Sequence, residues 1–173
     1  MGYNVAIDGP AGAGKSTIAK LVAKKKGYIY VDTGAMYRGL AIHFLKKGVS
    51  ADDREAVAEA CRDAEVTIGY EDGIQQVYLN GENVTSMLRT EEVGNMASRT
   101  SAIPAAREKS RDLQRSLART QDVIMDGREM GTNILPSADV KIDLTASRVS
   151  MAQRGKDGRM EEGAACAVEA SRA

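Results

Sequence analysis

A short segment near the N-terminus has the residue types and spacing of a phosphate-binding loop. Gly9, Gly14, Lys15 and Ser16 fit the pattern G-x-x-x-x-G-K-[ST]. Glycines let consecutive backbone N–H groups converge on a phosphate, and the following helix adds the partial positive charge of its N-terminus. The pattern assigns Lys15 to the β- and γ-phosphates and the Ser16 hydroxyl to Mg²⁺. The predicted ATP-binding residues are Gly9, Pro10, Ala11, Gly12, Ala13, Gly14, Lys15, Ser16 and Thr17.

Three further segments carry polar groups suited to a second ligand. They read "DTGAMYR" (32–38), "ASRTSAIPAAR" (97–107) and "DGREMGT" (126–132). The first and third follow apolar runs, and ligands of open α/β sheets bind at the carboxyl ends of strands. The GTPase patterns Asn-Lys-x-Asp and Asp-x-x-Gly do not occur in the sequence, and motor domains are usually larger. A small kinase is therefore the favoured class.

Several blocks of sequence, in order, resemble the bacterial cytidylate kinases. They read "IDGPAGAGKST", "YVDTGAMYR", "VGNMAS", "IPAAR" and "DVIMDGREMGTNILPSADVKIDLTAS", and span roughly residues 4–147. The resemblance implies phosphoryl transfer from ATP to CMP or dCMP, with Mg²⁺ as cofactor. It also implies the fold of the phosphate-loop nucleoside monophosphate kinases, with a core sheet, a monophosphate-binding insert and a mobile lid.

The resemblance assigns roles to residues outside the phosphate loop. Thr33, Arg38 and Arg128 match positions that hold the phosphate of the acceptor. Lys15, Arg38 and Arg128 are the expected catalytic residues, because two anions must be aligned and their charge neutralised. Asp126 resembles an acidic strand end that assists Mg²⁺ in these folds, but a ligand on the acceptor side or a turn residue fits its position equally.

The resemblance also assigns readers of the cytosine base. Ser98, Arg107 and the acid at position 129 match these positions. Cytosine offers an amino donor at C4, which suits a carboxylate, and acceptors at N3 and O2, which suit an arginine. Uracil would present an oxygen to the carboxylate and leave it unpaired. The family usually has Asp at this position, whereas this chain has Glu129, whose extra methylene shifts the carboxylate.

Apolar runs and helical periodicity predict the elements that position these residues. Strands are expected at "NVAID" (4–8), "YIYVD" (28–32), "DVIMD" (122–126) and "VKIDLT" (140–145), with helices between them. This alternation is typical of an α/β fold with a mostly parallel sheet. Asp72-Gly73 and Asn80-Gly81 are hairpin turn signals and predict a small antiparallel insert. The last stretch, 91–119, reads as helical with a break at Pro104.

The predicted organisation has four parts, of which the last departs from the resemblance. They are a core with the phosphate loop (1–63), the insert with its helices (64–119), a second core segment (120–147) and an atypical tail (148–173). The tail shows no strand-like run, so we expect the lid and last strand to be missing, through truncation or a shifted reading frame. Arg148, Arg154 and Arg159 do not have lid spacing. A nucleotide-binding protein with negligible turnover is therefore the alternative function, and a kinase for a small metabolite is disfavoured.

Composition limits the remaining classes. The 173 residues carry 24 basic and 24 acidic side chains, so no basic excess indicates a nucleic-acid or membrane partner. The two cysteines stand far apart and favour neither a disulfide framework nor a zinc site. The N-terminus lacks the pattern of a signal peptide. These features predict a cytoplasmic protein, and the resemblance implies a monomer that acts on small molecules.

Overall fold

The computed structural model describes residues 2–10, 12–71, 74–146 and 166–172. Its helices are α1 (Lys15–Lys26), α2 (Thr33–Lys46), α3 (Arg54–Cys61), α4 (Glu91–Thr100) and α5 (Pro104–Thr120). Its strands are β1 (Asn4–Asp8), β2 (Ile29–Val31), β3 (Val66–Glu71), β4 (Ile74–Leu79), β5 (Glu82–Asn83), β6 (Val123–Gly127), β7 (Val140–Ala146) and β8 (Cys166–Arg172). A 3₁₀ turn covers Thr85–Met87, and a π-helical segment covers Met130–Ile134.

The chain divides into two compact units. The first contains residues 1–32 and 118–173, and the second contains residues 33–117. Among the residues that the structure describes, every helix is too short or too polar to cross a bilayer.

The first unit contains a five-stranded sheet with the order β2-β6-β1-β7-β8. The first four strands run parallel, as the sequence predicts, and their apolar runs fit burial on both faces. α1 ends at Gly27, whose positive φ of 72° and N–H to the Ala23 carbonyl form a left-handed cap. The parallel register aligns Asp8 at the end of β1 with Gly127 at the end of β6. The phosphate loop, which follows β1, and the predicted ligand segment 126–132, at the end of β6, therefore start at the same edge of the sheet.

β8 corrects the expectation that the last strand is missing. It pairs antiparallel with β7 from Ala146↔Cys166 to Val140↔Arg172. The pattern of "CAVEASR" does not indicate a strand, because this segment has few of the β-branched and aromatic residues that are typical of strands. β7 is therefore bordered on both sides and is not the exposed edge that the tail suggested. The expectation that the lid is missing concerns residues 147–165, which lie outside the described residues, as do Arg148, Arg154 and Arg159.

The second unit joins an antiparallel sheet, β3-β4-β5, to four helices. Asn80 and Gly81 both have positive φ, 49° and 83°, which is the geometry of the predicted hairpin turn. The Asp72-Gly73 turn lies outside the described residues. The predicted break at Pro104 is confirmed, since α5 begins there. Apolar side chains of α2, α3, β3, β4 and α4 form the core, among them Leu40, Phe44, Val57, Val77 and Val93.

α3 is an element that the sequence reading did not predict. Asp53 precedes it, and its carboxylate accepts the backbone N–H of Ala56 at 2.9 Å. That contact is a standard N-cap and satisfies one of the free donors of the first turn. The helix was missed because it is only eight residues long and its apolar positions are mostly alanine.

Candidate functional site

The phosphate loop begins where β1 ends and requires glycine at its first position. Gly9 has φ 145°, and a Cβ atom there would lie 2.1 Å from the Leu144 carbonyl oxygen. Gly14 has φ 93° and forms the N-cap of α1, in a left-handed conformation that costs other residues energy. The backbone can therefore approach a ligand closely at the N-terminus of a helix. Ala11 lies outside the described residues.

Lys15 is the first residue of α1 and is only partly exposed. Its Nζ donates a hydrogen bond to the Pro10 carbonyl at 2.8 Å. Burial lowers the pKa of Lys15, the carboxylate of Asp126 counteracts this, and the guanidinium of Arg128 lowers the pKa further. A partly desolvated cation near a second cation gains from an anionic ligand. The loop thus presents a positive charge suited to a phosphate.

Ser16, Tyr30 and Asp126 form a hydrogen-bonded group beside the loop. The Ser16 hydroxyl donates to Asp126 Oδ2 at 3.0 Å, and the buried Tyr30 hydroxyl donates to Asp126 Oδ1 at 2.7 Å. Burial and this hydrogen bond raise the pKa of Tyr30, so the phenol keeps its proton. A hydroxyl and a carboxylate are hard oxygen donors, which fit Mg²⁺. Among the described residues, no three His, Cys, Asp or Glu side chains cluster as a metal site. Mg²⁺ is usually bound by one or two protein oxygens together with phosphate and water oxygens.

Asp8 connects the end of β1 to the segment that follows β6. Its carboxylate accepts the backbone N–H of Met130 at 2.6 Å and that of Gly131 at 2.8 Å. These residues start the π-helical segment and follow directly on Arg128 and Glu129. Asp8 therefore fixes the backbone next to two of the predicted site residues, and these lie in the same unit as the phosphate loop.

Arg128 and Glu129 are both exposed at the end of β6. The Glu129 carboxylate accepts a hydrogen bond from the Asn133 side-chain amide at 2.8 Å. Its carbonyl accepts the backbone N–H groups of Asn133 and Ile134 at 3.0 and 3.3 Å. Glu129, which is predicted to bind the cytosine base, is therefore hydrogen-bonded to the π-helical segment through its side chain and its carbonyl.

Four predicted site residues lie in the second unit. Thr33 begins α2, and Arg38 lies one turn later with an exposed side chain. Ser98 is exposed on α4, which packs against α2, and Arg107 is exposed in the first turn of α5. His43, in the same helix as Arg38, is buried and hydrogen-bonded to Asp63 at 3.1 Å.

Tyr30, Asp8 and Asn133 were missed as functional candidates. A signal existed for Asp8, because "NVAID" and "DVIMD" are parallel strands that both end in aspartate at the ligand edge. Tyr30 stands in the middle of an apolar strand and reads as core. Asn133 falls in a π-helical segment, a geometry for which the sequence offered no recognisable pattern.

Comparison with known proteins identifies the family. A sequence model described as Cytidylate kinase matches residues 5–171, which extends past residue 147, where the resemblance was expected to stop. A cytidylate kinase of Caldicellulosiruptor bescii is 48% identical over 87% of this chain and 67% of its own length. One of Lactobacillus gasseri is 48% identical over 87% and 65%, and one of Bacillus licheniformis is 44% identical over 92% and 71%. This chain thus spans about two thirds of the length of such relatives. It belongs to the cytidylate kinase family.

Proposed function

We propose that this chain transfers the γ-phosphoryl group of ATP to CMP or dCMP, giving ADP and CDP or dCDP. The observation that carries the proposal is the phosphate loop of Gly9–Ser16, with its left-handed glycines and the partly desolvated Lys15. Family membership supports the cytidine acceptor, because the matched relatives are named cytidylate kinases.

On the donor side, Lys15 carries positive charge to the β- and γ-phosphates, and the backbone N–H groups of the loop bind their oxygens. Ser16 and Asp126 would hold Mg²⁺, which when bound neutralises charge on the donor phosphates. Tyr30 orients the carboxylate of Asp126 through its hydrogen bond.

On the acceptor side, Thr33, Arg38 and Arg128 bind the monophosphate, and Ser98, Arg107 and Glu129 read the base. A phosphate oxygen of CMP forms the new bond to the γ-phosphorus, while the bond from that phosphorus to the β,γ-bridging oxygen breaks. The electron pair of that bond leaves on ADP. The attacking oxygen is already ionised at neutral pH, so no strong general base is needed, and positioning and charge neutralisation dominate the catalysis.

The experiment is product identification with the full chain, ATP and Mg²⁺. Chromatography should show CDP or dCDP in equal amount to ADP when CMP or dCMP is added, and little ADP without an acceptor. Binding of ATP and CMP without CDP would instead favour the alternative, a nucleotide-binding protein with negligible turnover. ADP release independent of any acceptor would indicate a hydrolase.

A further inference from the structure

We propose that Asn133 is a positioning residue for base specificity, which holds the Glu129 carboxylate so that it discriminates CMP from UMP. This inference rests on the proposed function, because it assumes that Glu129 faces the base of the acceptor. It extends that function by naming the residue that compensates for the longer acid at position 129.

The contact between the two residues is direct. Asn133 Nδ2 lies 2.8 Å from Glu129 Oε2, and the backbone N–H of Asn133 donates to the Glu129 carbonyl at 3.0 Å. The amide N–H donates and the carboxylate oxygen accepts, so the contact restrains the position of the Glu129 carboxylate. The other carboxylate oxygen, Oε1, takes no part in this bond and can accept from a ligand.

Hydrogen bonds to Asp8 and within the segment fix the backbone that carries Asn133. Asp8 accepts the N–H groups of Met130 and Gly131, and the Leu135 N–H donates to the Met130 carbonyl at 2.7 Å. Met130, Gly131 and Ile134 are buried, so the segment is anchored by packing as well. π-helical insertions are rare and frequently mark functional positions. Asn133 therefore offers its amide from a rigid support.

Such a restraint matters for a glutamate more than for an aspartate. Ordering a free glutamate side chain on binding costs rotamer entropy. A carboxylate that is already held loses less on binding, which favours the matching ligand. The amino group at C4 of cytosine donates to Oε1, whereas the C4 oxygen of uracil would face an acceptor. Losing the Asn133 amide should therefore weaken discrimination more than overall binding.

The test is a double-mutant cycle on nucleotide binding, measured by titration calorimetry with CMP and with UMP. Asn133→Ala should lower the UMP-to-CMP ratio of dissociation constants by about threefold to tenfold, the range of one ordinary hydrogen bond. Asn133→Asp should lower it further, because two carboxylates four residues apart repel. In a Glu129→Asp background the same Asn133→Ala change should leave the ratio unaltered, because the shorter side chain falls short of Asn133.

Asn83→Ala is the matched control, since it removes an exposed asparagine whose side-chain amide donates to Gln76 outside the predicted ligand segments, and it should leave the ratio unchanged. The proposal is overturned if Asn133→Ala preserves the ratio, if it lowers the ratio equally in both backgrounds, or if the wild type binds CMP and UMP equally. Turnover is scored separately: a wild type that prefers CMP but forms no CDP contradicts the proposed kinase, while the binding cycle still decides the role of Asn133.

Discussion

The residues of the phosphate loop combine one partly desolvated charge with a small group of oxygen donors. Lys15 supplies the charge, and burial lowers its pKa while Asp126 counteracts that effect. Ser16 and Tyr30 both donate to Asp126. The two features are adjacent because β1 and β6 are neighbours in a parallel sheet and end at the same edge. A single substitution can remove the Lys15 charge or one of the hydrogen bonds to Asp126.

Replacing Lys15 by alanine should reduce phosphoryl transfer from ATP to CMP by about a hundredfold or more, the usual cost of one charge-stabilising donor. The fold should persist, since the Lys15 side chain is partly exposed and, among the described residues, its ammonium donates to the nearby Pro10 carbonyl. Turnover is measured by coupled ADP release, and the circular dichroism spectrum reports the fold. Lys24→Ala, an exposed lysine in the last turn of α1, is the matched control. Near-normal turnover of Lys15→Ala would refute the assigned role.

Replacing Tyr30 by phenylalanine should raise the Mg²⁺ concentration needed for half-maximal turnover, because Asp126 loses the hydrogen bond that orients it. The free energy of unfolding should fall by about 1 kcal/mol, the net value of one such bond. Magnesium titrations of the two proteins, together with urea unfolding, measure both effects. A stability loss with an unchanged magnesium requirement would restrict Tyr30 to a structural role.

Most helices and strands were predictable from the sequence, because local residue patterns determine them. The parallel strands are short apolar runs, α1 ends at a glycine, and the Asn80-Gly81 turn needs two positive φ values. The π-helical segment was not predictable, since its bounds depend on the distant Asp8. Likewise, the pairing of Asn133 with Glu129 follows from that segment and not from the sequence around it.

The hydrogen bonds from His43 and Lys47 to Asp63, which follows α3, give a pH-dependent contribution to the stability of the fold. Lys47 and His43 hydrogen-bond Asp63 and lower its pKa from 3.8 to about 2. A carboxyl with a depressed folded pKa stabilises the fold above its unfolded pKa and loses that contribution as the pH falls. Asp63→Asn should therefore have a lower melting temperature than the wild type at neutral pH. The difference should shrink as the pH falls from 3.8 to about 2. A difference that stays constant with pH would contradict this.

At the scale of the whole molecule, β8 is the last strand at one edge of the sheet of the first unit. The sequence reading missed this strand, because an edge strand rich in alanine can be specified by the ladder that it completes rather than by its own propensity. The position of β8 also explains why the "VKIDLT" run of β7 is compatible with a stable protein, since both of its edges are paired.

Removing residues 166–173 should lower the melting temperature and increase aggregation, because it exposes the edge of β7 and its unpaired backbone groups. During a thermal ramp of the full and shortened chains, circular dichroism measures the melting temperature and light scattering measures aggregation. A shortened chain that matches the full one would contradict the role given to β8.

An internal competition between CMP and UMP tests most directly whether this chain phosphorylates a cytidine nucleotide. The full chain is given ATP, Mg²⁺ and equal concentrations of both acceptors, and CDP and UDP are quantified from the same early time points. Their ratio equals the ratio of the two kcat/KM values, independent of enzyme concentration. We expect CDP to exceed UDP clearly, with the sum of both matching the ADP formed. Equal amounts of CDP and UDP, or ADP without either product, would contradict a cytidylate kinase.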